Sequence, residues 1–211
     1  MLPVKETAPR RRFPFFTIAL IIANVWVFIY QVINHDQMAW FMAQYAFTPA
    51  RAFVFPDGII TWFTSMFMHA GILHLAANMY FLWLFGDNVE SKLGHWRYLF
   101  FYFLCGLCAT ATHLYFNQGS HVPSVGASGA ISGILGAYFI FFPAATIFVS
   151  FLIFFKIPLP AFLFLGFWFA GQFFSGLDTT GTGAAASNIA FWAHIGGFVA
   201  GMFLVFFFKR R

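Results

Sequence analysis

Apolar residues run in six long stretches, separated by short polar or turn-rich segments and one long loop. A helix that crosses a membrane needs about 20 predominantly apolar residues. Residues 13–33, 66–86, 96–116, 124–142, 157–175 and 189–208 meet that requirement. The fourth stretch is rich in glycine and stops at Pro143. Residues 144–155 are apolar but too short to span, and Lys156, Pro158 and Pro160 follow them, so we read an interfacial connector there. Segment 34–65 is a long loop holding Pro49, Arg51, Pro56, Asp57 and Gly58 among aromatic residues, and it is expected to lie partly in the membrane interface. Segments 117–123 and 177–188 are polar, turn-rich loops. Residues 1–12 lack the apolar stretch of a signal peptide, so the first run is expected to be retained as a helix. The expected organisation is a short basic tail at 1–12, one membrane domain at 13–208 and a basic end at 209–211.

Composition agrees with an all-α, multi-pass membrane protein. Of the 211 residues 61% are hydrophobic and 8% charged, against about 25% charged in a soluble domain. The formal net charge of +5 is set by where the basic residues fall. With the N-terminus inside, Lys5, Arg10, Arg11, Arg12, Lys92, Arg97, Lys156, Lys209, Arg210 and Arg211 face the inner side. Arg51 alone faces outward, which leaves 10 of the 11 Lys and Arg inside. That asymmetry is the positive-inside pattern of six spans with both termini cytoplasmic, and it argues against nucleic acid as the partner of the basic charge. A seventh span at 144–155 would send the C-terminal Lys-Arg-Arg outside. Cys105 and Cys108 sit one helical turn apart inside an apolar run and read as packing residues, with no metal-ligand spacing around them.

Polar groups inside a membrane are costly, and function is the default hypothesis for them. His69, His74 and Asn78 fall on the second stretch, Ser128 on the fourth and His194 on the sixth. Counted from the inner end of each span at about 1.5 Å per residue, Ser128 and His194 lie roughly 22 Å up and His74 roughly 20 Å. In a core of about 30 Å these three share one layer, roughly 8–10 Å below the outer surface. At about 100° per residue His74 and Asn78 share a helix face, whereas His69 lies about 140° away and reads as a loop anchor. Gly129, Gly133 and Gly136 follow Ser128, and Gly197 and Gly201 follow His194. Small residues at this spacing let membrane helices pack backbone to backbone. That approach could bring a serine Oγ and an imidazole nitrogen within the roughly 3 Å that proton transfer needs. Each residue alone is compatible with ordinary helix packing; together they point to a site.

The motifs resemble those of the rhomboid intramembrane proteases. Gly126-Ala127-Ser128-Gly129 is similar to the family's G-x-S-G, and His69, His74 and Asn78 match its H-x4-H-x3-N. Ala193-His194-Ile195-Gly196-Gly197 is similar to the sixth-span motif. The resemblance covers nearly the whole chain from Phe13 and is to the minimal six-helix, prokaryotic-type form. It implies a serine endopeptidase with a Ser128–His194 dyad and no catalytic acid. His74, Asn78 and the Ser128 backbone N–H would then serve the oxyanion, with Gly126, Gly129, His69 and Gly197 in support. It further implies single-span membrane proteins as substrates, no cofactor, and a bacterial inner membrane with the site opening to the outer side. Asp87 and Glu90 are expected in the cytoplasm and Asp178 in an outer loop.

Two positions depart from the family pattern. Ile60-Thr61-Trp62 stands where some members have Trp-Arg, and Ser132 stands where some have an aromatic that stacks on the base. The group that orients His194 is therefore unassigned. A pseudoprotease that binds membrane clients would usually lack the serine or the histidine, and both are present. A channel or transporter would need polarity along the full depth of its spans, whereas here it is confined to the outer half. No H-E-x-x-H motif and no pair of acids at depth is present, against a metalloprotease or an aspartyl protease. A helical substrate hides its peptide bonds, so segments weakened by Gly or Pro near the outer face are the expected targets, with small residues before the scissile bond.

Overall fold

The computed structural model describes residues 2–9, 12–54, 56–151, 155–182 and 190–209. Six helices form the bundle: α1 (Phe15–Ile33), α4 (Ile72–Leu93), α5 (His95–Phe116), α6 (Ser128–Phe141), α7 (Ala161–Thr182) and α8 (Phe191–Phe208). The long first loop folds into two shorter helices, α2 (Met38–Tyr45) and α3 (Asp57–Thr64). Among the described residues α1, α5, Ala161–Asp178 of α7, and α8 are long and apolar enough to cross a membrane. Their outward faces carry large apolar side chains, with Phe207 83% and Phe167 70% exposed, as lipid contact requires.

The two remaining bundle helices differ for separate reasons. Helix α4 has 22 residues but carries Asp87, Glu90 and Lys92 in its last two turns. Helix α6 has only 14 residues, a rise of about 21 Å, and so stops roughly 9 Å short of a full hydrocarbon core. The apolar stretch had suggested a span from 124. Residues 124–126 instead form an extended segment. Ser124 bridges Phe47, the Gly126 N–H donates to the Ser65 carbonyl at 2.8 Å, and Gly126 has φ +126°, a region L side chains rarely adopt. The helix can start only after this turn, and its first residue is Ser128.

Helix α6 is the hub. Every residue from Gly129 to Tyr138 is buried, and it packs most extensively against α8, then α5 and α4. The glycines set that approach: a Cβ on Gly197 would fall on the Gly129 carbonyl oxygen, and one on Gly201 on that of Gly133. Helix α7 lies outside this core and touches mainly α8.

Three findings add to or correct the sequence expectations at the end of the bundle opposite Ser128. Asp87 and Glu90 are buried, at 5% and 1% exposure. Glu90 accepts the backbone N–H groups of Phe16 and Thr17 at 2.9 and 2.8 Å, the Thr17 hydroxyl at 2.7 Å, and pairs with His95 Nδ1 at 2.6 Å. It thus caps α1, whose own N-cap, Pro14, offers no side-chain acceptor. The expected N-terminal tail contains a strand, β1 (Leu2–Glu6), and the expected connector contains β2 (Thr146–Phe151), followed by β3 (Phe155–Pro160). They form an antiparallel sheet in the order β1-β2-β3. Pro158 and Pro160 are tolerated because β3 is an edge strand. Glu6, buried at the end of β1, accepts from Asn88 Nδ2 at 3.0 Å and the Tyr138 hydroxyl at 2.8 Å, which ties the strand to α4 and α6. Finally, α7 begins at Ala161 rather than 157 and continues through residues expected in the outer loop, whose remainder lies outside the described residues.

Candidate active site

Ser128 and His194 meet across the α6–α8 interface. Ser128 opens α6 and His194 lies in the first turn of α8, with Oγ 2.8 Å from Nε2. The glycine contacts below them hold the two backbones close enough for this bond. As the first residue of α6, Ser128 also has a backbone N–H for which the helix supplies no acceptor one turn back.

The other side of the ring is held by a residue not singled out from the sequence. Gln172 Oε1, on α7, lies 2.6 Å from His194 Nδ1. Trp168, one turn earlier on α7, sets its ring 6.1 Å from the His194 ring at 34°. An aromatic next to the base is therefore present, but it comes from α7. Ser132 instead donates to the Ser128 carbonyl within α6, at 2.7 Å. Gln172 was detectable: among residues 161–174 it is the one strongly polar side chain in an apolar helix.

His74 and Asn78 project from one face of α4, as their spacing predicts, and both abut Gly126. A Cβ at Gly126 would lie 2.9 Å from His74 Nε2 and 3.4 Å from Asn78 Nδ2. This contact lies two positions before Ser128 in the chain. Asn78 Nδ2 is buried and has no hydrogen-bond partner among the described residues. A buried donor left unpaired is costly, so it marks a place where an acceptor belongs.

His69 is tied to α1 through its backbone alone, and neither of its ring nitrogens has a hydrogen-bond partner among the described residues. Its N–H donates to Gln31 Oε1 and its carbonyl accepts from Gln31 Nε2, both at 3.1 Å. Its ring stands edge-on to His74, with centroids 5.2 Å apart. Gln31, buried on α1, is a second polar intramembrane residue that the sequence reading passed over. Gly129 is closed in by Ala109, where a Cβ would sit 2.7 Å away, and Gly197 meets its carbonyl from α8. A cavity of about 30 Å³ adjoins Ser128, walled in part by Gly106, Ala109, Gly129 and Ala193.

The arrangement supplies a hydroxyl, an imidazole nitrogen 2.8 Å from it, an amide oxygen on the far side of that ring, and an unpaired donor beside Gly126. Residues 56–211 match the family described as Rhomboid domain. RHOMBOID-like protein 12, mitochondrial, of Arabidopsis thaliana is 30% identical over 199 residues, covering 85% of this chain and 54% of that protein. RHOMBOID-like protein 6, mitochondrial, of the same plant is 30% identical over 153 residues, or 57% of this chain and 49% of that protein. Rhomboid protease GluP of Bacillus subtilis is 42% identical over 74 residues, or 35% of this chain and 14% of that protein. The chain thus spans about half the length of these relatives, or less.

Proposed function

The chain belongs to the rhomboid family, and we propose that it is an intramembrane serine endopeptidase acting through Ser128 and His194. The observation that carries this is the 2.8 Å contact between Ser128 Oγ and His194 Nε2, made across two helices by residues 66 positions apart in sequence. Ser128 Oγ attacks the scissile carbonyl while Nε2 takes its proton. The oxyanion accepts hydrogen bonds from the Ser128 N–H, Asn78 Nδ2 and His74 Nε2. His194 returns the proton to the leaving amine as the C–N bond breaks. Water then attacks the acyl-enzyme, with His194 again as base, and frees a carboxylate and Ser128.

The substrates in this proposal are single-span membrane proteins whose helices are weakened near the outer face. The 30 Å³ cavity beside Ser128 favours a small side chain before the scissile bond. Residues 13–208 act as one membrane domain, and both termini face the cytoplasm of a bacterium, with the site open to the outer side. Supporting this are the ten inward basic residues and the similarity to a Bacillus protease.

The test is cleavage of labelled single-span substrates in liposomes, with Gly or Pro near the outer end of the span. Ser128→Ala and His194→Ala should each lose ~10³-fold or more in rate. Wild-type rates in Ser128→Ala would remove the dyad. A wild-type protein that neither cleaves such substrates nor reacts with a fluorophosphonate would instead be a client-binding relative.

A further inference from the structure

We propose that Gln172 is the positioning residue of the dyad: its amide oxygen keeps a proton on His194 Nδ1 and so leaves Nε2 free for Ser128. This rests on Ser128 and His194 being nucleophile and base. A neutral imidazole has one N–H, and its position decides what the other nitrogen can do. With the proton on Nδ1, donating to Gln172 Oε1 at 2.6 Å, Nε2 carries the lone pair that faces Ser128 Oγ at 2.8 Å. In the other tautomer Nε2 could only donate to Oγ, and the hydroxyl would have no base.

The placement of Gln172 fits that role. It lies on α7 four residues after Trp168, so both project from one side of that helix. Trp168 flanks the His194 ring at 6.1 Å while Gln172 bonds its edge. Together they restrict rotation of the imidazole about its long axis and its side-chain torsions. An amide does this without burying a carboxylate, which in apolar surroundings carries a heavy desolvation penalty. It also leaves the imidazolium formed during catalysis without a counter-charge. Among the described residues, the ionisable groups that act electrostatically on the ring are His74 of α4 and His113 of α5, both imidazoles. Because α7 rests mainly on α8, the orientation of the base is set at the α7–α8 contact, separate from the glycine contact that sets the distance to Ser128.

The experiment compares the full chain in liposomes as wild type, Gln172→Leu, Gln172→Glu and Ser128→Ala. It follows substrate cleavage, the rate of fluorophosphonate labelling and the melting temperature, the two rates across pH. Gln172→Leu should lower kcat and the labelling rate by roughly 10- to 100-fold, with KM and melting little changed. Gln172→Glu keeps an acceptor and adds a charge. It should restore most of the rate and move the acid limb of both profiles upward by about one pH unit, since a carboxylate favours the protonated imidazole. Should Gln172→Leu not fold, Gln172→Asn, too short to keep the bond, takes its place. Rates within about twofold of wild type in Gln172→Leu, or an unmoved acid limb in an active Gln172→Glu, would overturn the proposal. Labelling or cleavage that survives in Ser128→Ala would instead remove the dyad itself, whatever the Gln172 variants do.

Discussion

Gly197 of α8 faces Gly129 of α6 so closely that a Cβ on Gly197 would fall on the Gly129 carbonyl oxygen. The contact lies just below the bond between Ser128 and His194, so helix packing and site geometry are one constraint. Gly197→Ala must push α8 away from α6, because backbone cannot yield as a flexible side chain can. A small-to-large change in such a contact costs about 1–3 kcal/mol. We expect a melting temperature several degrees lower and an activity loss of about 10²-fold, as the reacting atoms move apart. Gly166→Ala on α7, where nothing lies within 4 Å of the added carbon, is the control and should melt no lower than wild type. Equal melting of the two variants would show that the α6–α8 contact is not under this constraint.

Glu90 caps a helix that begins 75 residues before it. Removing the side chain leaves the N–H groups of Phe16 and Thr17 without their acceptor and the Thr17 hydroxyl with only the Tyr98 hydroxyl, at 3.1 Å. Unpaired buried donors cost about 1–3 kcal/mol each, with partial relief where water or a neighbour can reach. Glu90→Ala should therefore lose roughly 3 kcal/mol and fray the first turns of α1, seen as faster amide exchange there. Glu90→Gln, which keeps one acceptor oxygen, should fall between the two. If exchange in α1 stays as slow as in wild type, Glu90 is not its cap.

How much could be read from the sequence differs by the kind of signal. The spans were legible because lipid demands long apolar runs. Shared depth and facing glycines made a contact between Ser128 and His194 possible, and the resemblance of their motifs to the rhomboid pattern singled the pair out; the two side chains lie 2.8 Å apart. Hydropathy does not register what partners a polar group finds, and the misses follow from that. The burial of Glu90 was not legible because a charge near a helix end normally reaches water; here two backbone donors, a hydroxyl and His95 receive it. Gln172 and Gln31 went unnoticed because one amide hardly lowers the hydropathy of an apolar run. The sheet was hidden because 144–155 is apolar throughout, although Thr146, Ile147 and Val149 are β-branched and favour strand. The first residue of α6 depended on the turn at Gly126, a tertiary contact with Ser65 that no local pattern encodes.

The placement of both termini on the inner side can be tested apart from any activity. Ten of the 11 Lys and Arg fall on one side only if six spans cross and the segment at 144–155 does not. In a bacterial host, alkaline phosphatase fused after Ser120 should be active, since it reports the outer side. Fusions after Lys156 and Arg211 should be inactive. An active fusion after Arg211 would invert or break the topology and move the site to the inner face.

The proposed oxyanion site makes a sharper prediction because Gly126 and Asn78 fail in different ways. Asn78 Nδ2 is a buried donor with no partner among the described residues, which suits a group reserved for charge that exists only during reaction. Asn78→Ala should lower kcat by about 10²–10³-fold with KM nearly unchanged, and fold stability should not fall by more than about 1 kcal/mol. Gly126→Ala keeps the amide but puts a carbon 2.9 Å from the His74 ring, at a backbone angle of φ +126°. It should lose both activity and about 1–2 kcal/mol of stability, since strain and displaced donors arrive together. The measurement is paired: steady-state cleavage and thermal melting on the same preparations. If Asn78→Ala lowers melting as much as Gly126→Ala does while kcat holds, Asn78 supports the fold and the oxyanion is served by the Ser128 N–H and His74 alone.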